Sequence, residues 1–264
     1  MWPHHQQAVE SLLPTLDDDP DALALILGGS LARGRGRADS DLDGYIVLTD
    51  HAMARRIERD DLVDTTKSHH CQYEGGYFDL KCVTRAILEQ AVEEASEPFR
   101  ASLVGVNIAW TRQGEAPLDD LVARIAAYPE AGHAKKVLHL ACVLEGTKWF
   151  ALEAEKREDA YLTLWAAQRA VLFASRLILA HNRVLFPYHK WLTRAVAECP
   201  DKPDGIDDAI QAASREPCRA NTHVVCDLAM HFQDWGKHPV GWWNPFITEV
   251  EWAWRWGPTP IEDR

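Results

Sequence analysis

The chain has 264 residues, 47% of them apolar, which is enough for two domains with cores of their own. Its net charge of −12 speaks against a protein that wraps a phosphate backbone, because such binding rests on Lys and Arg displacing counterions; a neutral or cationic small partner suits it better. Six scattered cysteines form no CxxC pair, the N-terminus has no basic patch followed by an apolar stretch, and no run of about 18 apolar residues occurs. Zinc, thioredoxin-like and membrane-spanning roles are therefore not expected, and the expected location is the cytoplasm.

The first predicted element is a helix over 4–16, with Val9, Leu12, Leu13 and Leu16 on one face. A break at Asp17 to Pro20 precedes an apolar strand over 22–27, which stops at Gly28-Gly29. A second strand covers 42–48, a helix follows over 51–60, and Gly75-Gly76 turns the chain into a third strand over 77–83. Thr84 has the chemistry of an N-cap for a helix reaching about Ala95. Strand composition returns over 103–111, and 112–117 reads as a linker. Beyond 118 the pattern changes to long amphipathic stretches, predicting helices over 119–127, 133–155, 159–181, 188–198, 206–214 and 217–233. The expected organisation is an α/β domain over 1–115, with a mixed sheet flanked by helices, followed by an all-α domain over 116–264.

The chemistry concentrates in 28–48. A strand ends in Gly28-Gly29-Ser30, where glycine lets backbone approach a bulky anion and the Ser30 hydroxyl adds a donor. Asp41 and Asp43 stand two apart at the start of the next strand, so both carboxylates leave one face. Leu42 leaves the other face and, with Ile46 and Leu48, anchors the acidic pair to the core. Two like charges this close favour a cation between them, and oxygen-only ligands suit magnesium. In the third strand Asp79 lies between Phe78 and Leu80 and faces opposite to both, supplying the third carboxylate that a two-metal site requires.

Gly29-Ser30, ten intervening residues, Asp41-Leu42-Asp43 and a later strand with Asp79 resemble the nucleotidyltransferase fold of the DNA polymerase β superfamily. The form Gly29-Ser30-Leu31-Ala32-Arg33-Gly34 resembles its small bacterial branch, which includes aminoglycoside nucleotidyltransferases and the minimal transferases of toxin–antitoxin pairs. The resemblance covers about residues 20–112. It implies two Mg2+ ions on Asp41, Asp43 and Asp79, an NTP donor, ATP by family habit, and transfer of NMP with release of pyrophosphate. It also implies nucleotide contacts from Gly29, Ser30 and Arg33, with Lys190 or Arg183 reaching phosphate from the helical domain. The expected acceptor is a small molecule, aminoglycoside-like, with antibiotic resistance as the corresponding role; a protein or tRNA acceptor and a catalytically silent NTP-binding regulator are the alternatives. Asp79, Glu145, Glu158 and Asp159 are the candidate general bases.

Each of these residues also has a plainer reading. Arg33, Arg35 and Arg37 can be solvated loop arginines, Asp39 a turn residue, and Lys81 a salt-bridge partner of Asp79. Asn182 can cap a helix end, and Glu145, Glu158 and Asp159 can be helix-face or helix-terminus charges. Of eleven tryptophans, six lie in the last thirty residues; Trp252 and Trp256 would share a helix face and serve as a packing anchor or as an aromatic wall beside an acceptor.

Overall fold

The computed structural model describes residues 1–257. The chain divides into two compact units, Met1–Ala127 and Tyr128–Arg264. The helix over 119–126 therefore goes with the first unit rather than with the helices that follow it.

In the first unit, helix α1 spans Pro3–Asp18, with Pro3 at its first turn, where a missing N–H costs nothing. Strand β1 (Ala22–Leu27) leads into a short turn of helix, α2 (Gly29–Ala32), and then into β2 (Leu42–Leu48). Helix α3 (Asp50–Glu58) is capped by Thr49, whose hydroxyl accepts from Ala52 N. A two-residue strand, β3 (Val63–Asp64), precedes β4 (Phe78–Val83). Thr84 caps α4 (Arg85–Glu94) by accepting from Ile87 N, as its position predicts. The predicted strand over 103–111 is shorter: α5 occupies Glu97–Ser102, and β5 is confined to Asn107–Thr111. Helix α6 (Asp119–Ala126) completes the unit, tied to α5 by Arg100, whose buried guanidinium donates to the Ile125 carbonyl at 3.2 Å.

The sheet order is β3-β4-β2-β1-β5. β2 and β4 run parallel and the other neighbours antiparallel, so the sheet is mixed, as the sequence predicts. Alternation along the strands divides the side chains between two layers. Leu25, Leu27, Leu42, Ile46, Phe78 and Leu80 face the α1 side with Leu12 and Leu16. Ala24, Ile26, Tyr45, Val47 and Val83 face Leu88, Leu103, Leu121 and Ile125 of the α4–α6 side. Each of the larger buried side chains contributes about 1.5–3 kcal/mol relative to exposure, so the central strands are firmly placed.

Among the described residues, the regular elements of the second unit are all helical. Its members are α7 (His133–Lys156), α8 (Ala160–His181), α9 (Leu192–Ala197), α10 (Ile206–Arg215), α11 (Arg219–His231) and α12 (Trp243–Phe246). Their core gathers Leu144, Ala170, Ala174, Leu177, Ile178 and Val225. α8 is long and apolar enough to cross a membrane by length and composition; half of that stretch is buried among the other helices. Cys82 and Cys142 are buried free thiols, and burial raises both thiol pKa values.

The C-terminal tryptophans depart from the expectation of a shared helix face. Ala253–Arg255 is a single tight 3-10 turn, and Trp252, Trp254 and Trp256 are 50%, 63% and 69% exposed. The anchoring indole is Trp242, buried against Phe150 and Phe246 and stacked on Trp243 at 3.9 Å between ring centroids.

Candidate active site

The acidic site is assembled from three strand ends. β1 and β2 are antiparallel, with Leu27 opposite Gly44, so the end of β1 lies beside the start of β2. β2 and β4 are parallel with Leu42 opposite Phe78 and Asp43 opposite Asp79. Register partners on adjacent strands point the same way, so Asp43 and Asp79 project side by side from the α4–α6 face. Tyr45 and Lys81 follow them on that face, also as register partners. The apolar flanks Leu42, Phe78 and Leu80 are each at most 1% exposed, which fixes both strands beneath the carboxylates.

Gly28 and Gly29 bring the end of β1 onto this pair. Gly28 N donates to the Asp43 carbonyl at 2.9 Å. Gly29 has φ +66°, and a Cβ there would overlap the Asp43 carboxylate oxygen and stand 2.6 Å from the Asp43 Cβ. Glycine is needed at this position both for its left-handed backbone and for the close approach. A side chain at Gly44 would likewise collide with the Ile26 carbonyl oxygen. Ser30, half-buried in the first turn of α2, follows directly.

Asp41 lies just before β2. Leu42 N donates to the Tyr77 carbonyl at 2.9 Å, and the Tyr77 hydroxyl donates to Asp41 Oδ2 at 2.8 Å. That bond, followed by the nearby carboxylate charge, pushes the Tyr77 phenol up to about 12, so it stays a donor. Lys81 Nζ stands 3.3 Å from Asp79 Oδ2, the salt bridge expected of a neighbour on the same face. Burial is the leading cause that raises the Tyr45 phenol, whose hydroxyl bonds to that of Ser102.

The donor set can be weighed against a divalent cation. Asp43 and Asp79 offer two carboxylates side by side, which suits one magnesium ion completed by water or phosphate oxygens. Among the described residues, no three His, Cys, Asp or Glu side chains converge as a metal-ligand group, and Asp41 is held by Tyr77.

The remaining candidates have definite places. Arg33 is half-buried; its Nε donates to the Val104 carbonyl at 3.2 Å and its other terminus to the Ala101 carbonyl. Burial is the main cause that lowers its pKa, with Arg35 adding to it. Arg33 thus ties the glycine loop to the end of α5. Arg37 pairs with Asp39 at 2.8 Å in the exposed loop, the turn role expected of Asp39.

In the second unit Lys190 is exposed in the 3-10 turn His189–Trp191. Arg183, with φ +56°, pairs with Glu130 at 2.8 Å. Asn182 ends α8, its side-chain amide donating to the Ile178 carbonyl at 2.8 Å. Asp159 is the N-cap of α8 and accepts from Leu162 N at 3.0 Å; Glu145 and Glu158 are exposed. Sequence reading missed Tyr77 as a partner of Asp41. The available signal was its parity, since Tyr77, Asp79 and Lys81 alternate along one strand.

No family model matches the chain, and no curated protein matches its sequence. Among solved structures, the chain is similar to a nucleotidyltransferase-like protein from Exiguobacterium sibiricum 255-15, with 12% identity and a TM-score of 0.48. The match covers 98% of this chain and 80% of that one. At that distance the likeness carries neither activity nor substrate across.

Proposed function

We propose that the chain is a magnesium-dependent nucleotidyltransferase that moves NMP, AMP from ATP, onto a hydroxyl of a small acceptor and releases pyrophosphate. The observation that carries this reading is the register pairing of Asp43 with Asp79 beneath a glycine turn that touches Asp43. Asp43 and Asp79, joined by Asp41, would hold Mg2+. When bound, the metal would draw negative charge off the triphosphate and the departing pyrophosphate.

The chain's own residues take the following roles. Gly29 lets the turn close onto the Asp43 carboxylate and so brings backbone to the phosphate site, and the Ser30 hydroxyl donates to a phosphate oxygen. Arg33 holds the loop in place through the Ala101 and Val104 carbonyls. Lys190 is the basic residue proposed to meet phosphate from the helical unit. The acceptor oxygen attacks the α-phosphorus, the bond to the pyrophosphate oxygen breaks, and the acceptor proton passes to the Asp79 carboxylate. The acidic chain fits a cationic, aminoglycoside-like acceptor.

A second reading is favoured by a specific observation. Asp41 is bonded to Tyr77 and Asp79 is paired with Lys81, as expected of a domain that binds NTP without turnover. A pyrophosphate-release assay separates the two. Each NTP is supplied with Mg2+ and a panel of aminoglycosides and lincosamides, with Asp43→Asn as control. Acceptor-dependent release that is lost in the variant is the expected result. NTP binding without release for any acceptor of the panel would overturn the small-acceptor reading in favour of a silent domain or of a protein or tRNA acceptor, and release undiminished in Asp43→Asn would remove Asp43 from the site.

A further inference from the structure

The helical unit contains an arginine pair that its own carboxylates leave unmatched. Arg169 and Arg176 are two turns apart on α8, with Phe173 between them on the same face, and both line a cavity of about 250 Å3. Phe150, Trp242 and Phe246 add aromatic surface to its walls. The Arg176 Nε is buried without a hydrogen-bond partner, and its guanidinium carbon lies 5.1 Å from the centre of the Phe186 ring. Arg169 sits between two rings, 4.6 Å from the centre of Trp165 and 4.8 Å from that of Phe173. Among the described residues, neither guanidinium has a carboxylate partner. Acids outnumber bases 40 to 28 in this chain, so two half-buried arginines without one are not explained by a shortage of anions.

Ring stacking satisfies only the faces of a guanidinium. Its five N–H donors lie in the plane and need acceptors at the edge. The Arg176 Nε is the donor buried without one, and leaving it so costs more than stacking returns, which is about 0.5–2 kcal/mol per ring. Burial alone lowers the pKa of Arg169, with no neighbouring anion to oppose it. The carboxylate lining the cavity, Glu249, is engaged with His139, and the Thr147 hydroxyl donates to the Val143 carbonyl. An acceptor brought by a ligand would complete the arrangement.

We propose that this cavity binds a small aromatic anion, with its ring system among Phe150, Phe173 and Trp242 and its carboxylate or phosphate on the edges of Arg169 and Arg176. The volume is below the ~300–1,000 Å3 of drug-sized sites, which limits the ligand to one or two rings. The site lies wholly within the second unit and does not depend on the transferase reading of the first.

Calorimetric titration of the full chain tests it with four probes that share one ring system: 1-naphthoate, 1-naphthyl phosphate, neutral 1-naphthamide and cationic 1-naphthylmethylamine. The expected result is one saturable site that takes at least one of the two anions at least tenfold more tightly than the amide and rejects the amine; which anion binds identifies the headgroup. Arg169→Gln and Arg176→Met should each remove that preference while leaving the far-ultraviolet circular dichroism unchanged. Equal binding of acid and amide, no saturation by either anion up to millimolar concentration, or anion binding retained in the folded variants would overturn the proposal. If the variants do not fold, the comparison of probes on the unaltered protein decides it.

Discussion

Replacing Gly29 with Ala isolates the contact on which the acidic site is built. Two costs arise, and a second glycine separates them. The first is conformational: an L residue at φ +66° costs about 1–2 kcal/mol. The second is steric. The new Cβ overlaps the Asp43 carboxylate oxygen, which a change of rotamer can relieve, but it also stands 2.6 Å from the Asp43 Cβ, which no rotamer can move. Either α2 or the start of β2 must shift, and overpacking of that kind costs about 1–3 kcal/mol. Gly34 has nearly the same backbone, φ +69°, and nothing within 4 Å of an added Cβ, so Gly34→Ala carries the conformational cost alone. Gly29→Ala should therefore lose about 2–5 kcal/mol and Gly34→Ala about 1–2. Urea unfolding followed by circular dichroism measures both, and at several degrees per kcal/mol the first melts roughly 10 °C lower. Equal losses in the two variants would refute the claim that Gly29 is required by its contact with Asp43.

Three further perturbations have definite directions. His5 is fully buried; its Nε2 donates to the Ser40 carbonyl at 3.0 Å, Nδ1 faces Trp2 N, and burial leads the causes that hold its pKa below the ordinary 6.5. Its contribution is thus complete above pH 6.5 and is lost as pH falls toward the folded pKa, because the unfolded chain takes up the proton first. His5→Gln should flatten the fall in urea midpoint between pH 7.5 and 5.5, and parallel profiles would contradict this. Tyr77→Phe removes an exposed hydroxyl and should change stability by no more than about 0.5 kcal/mol. By releasing Asp41 it should also tighten the Mg2+ dependence of ATP binding; a weaker dependence would mean that Tyr77 orients Asp41 for the metal. Gly146→Ala places a Cβ 2.7 Å from the Trp242 indole and should destabilise the helical unit by about 1–3 kcal/mol, with a change in tryptophan fluorescence as Trp242 is displaced.

The strands that carry the aspartates were legible because their signal is local. Ala22–Leu27 and Leu42–Leu48 are apolar runs ended by glycine and threonine, and Asp43 interrupts its run at the parity that puts it opposite Leu42. Asp79 between Phe78 and Leu80 is readable in the same way, and Thr84 follows as a cap. Glu97–Ser102 was harder to read. Six residues with a proline at the start give a helix too little periodicity to register, and the apolar Leu103 and Val104 that follow resemble a strand. β3 is two residues long and exists because Leu80 and Lys81 offer a free edge, a fact about β4 and not about Val63–Asp64.

The functional details that escaped the sequence share a cause: each is a pairing between segments far apart in the chain. Asp41 and Tyr77 are 36 residues apart, Arg33 and Ala101 are 68 apart, and no pattern within either segment encodes the partner. Arg33 shows the consequence. As a basic residue in a glycine loop it invites assignment to phosphate, and the folded chain adds a second role, since two of its donors meet carbonyls at the end of α5 and steady the loop. The opposite case is Arg169 and Arg176. They stand seven residues apart on an apolar helix, and packing shows that rings cover their faces while no carboxylate meets their edges. A charge that meets acceptors within the fold already has a positioning role, whereas a buried donor left without one after folding has room for a ligand. That distinction separates the arginine of the glycine loop from the pair on α8, and it belongs to the folded chain alone.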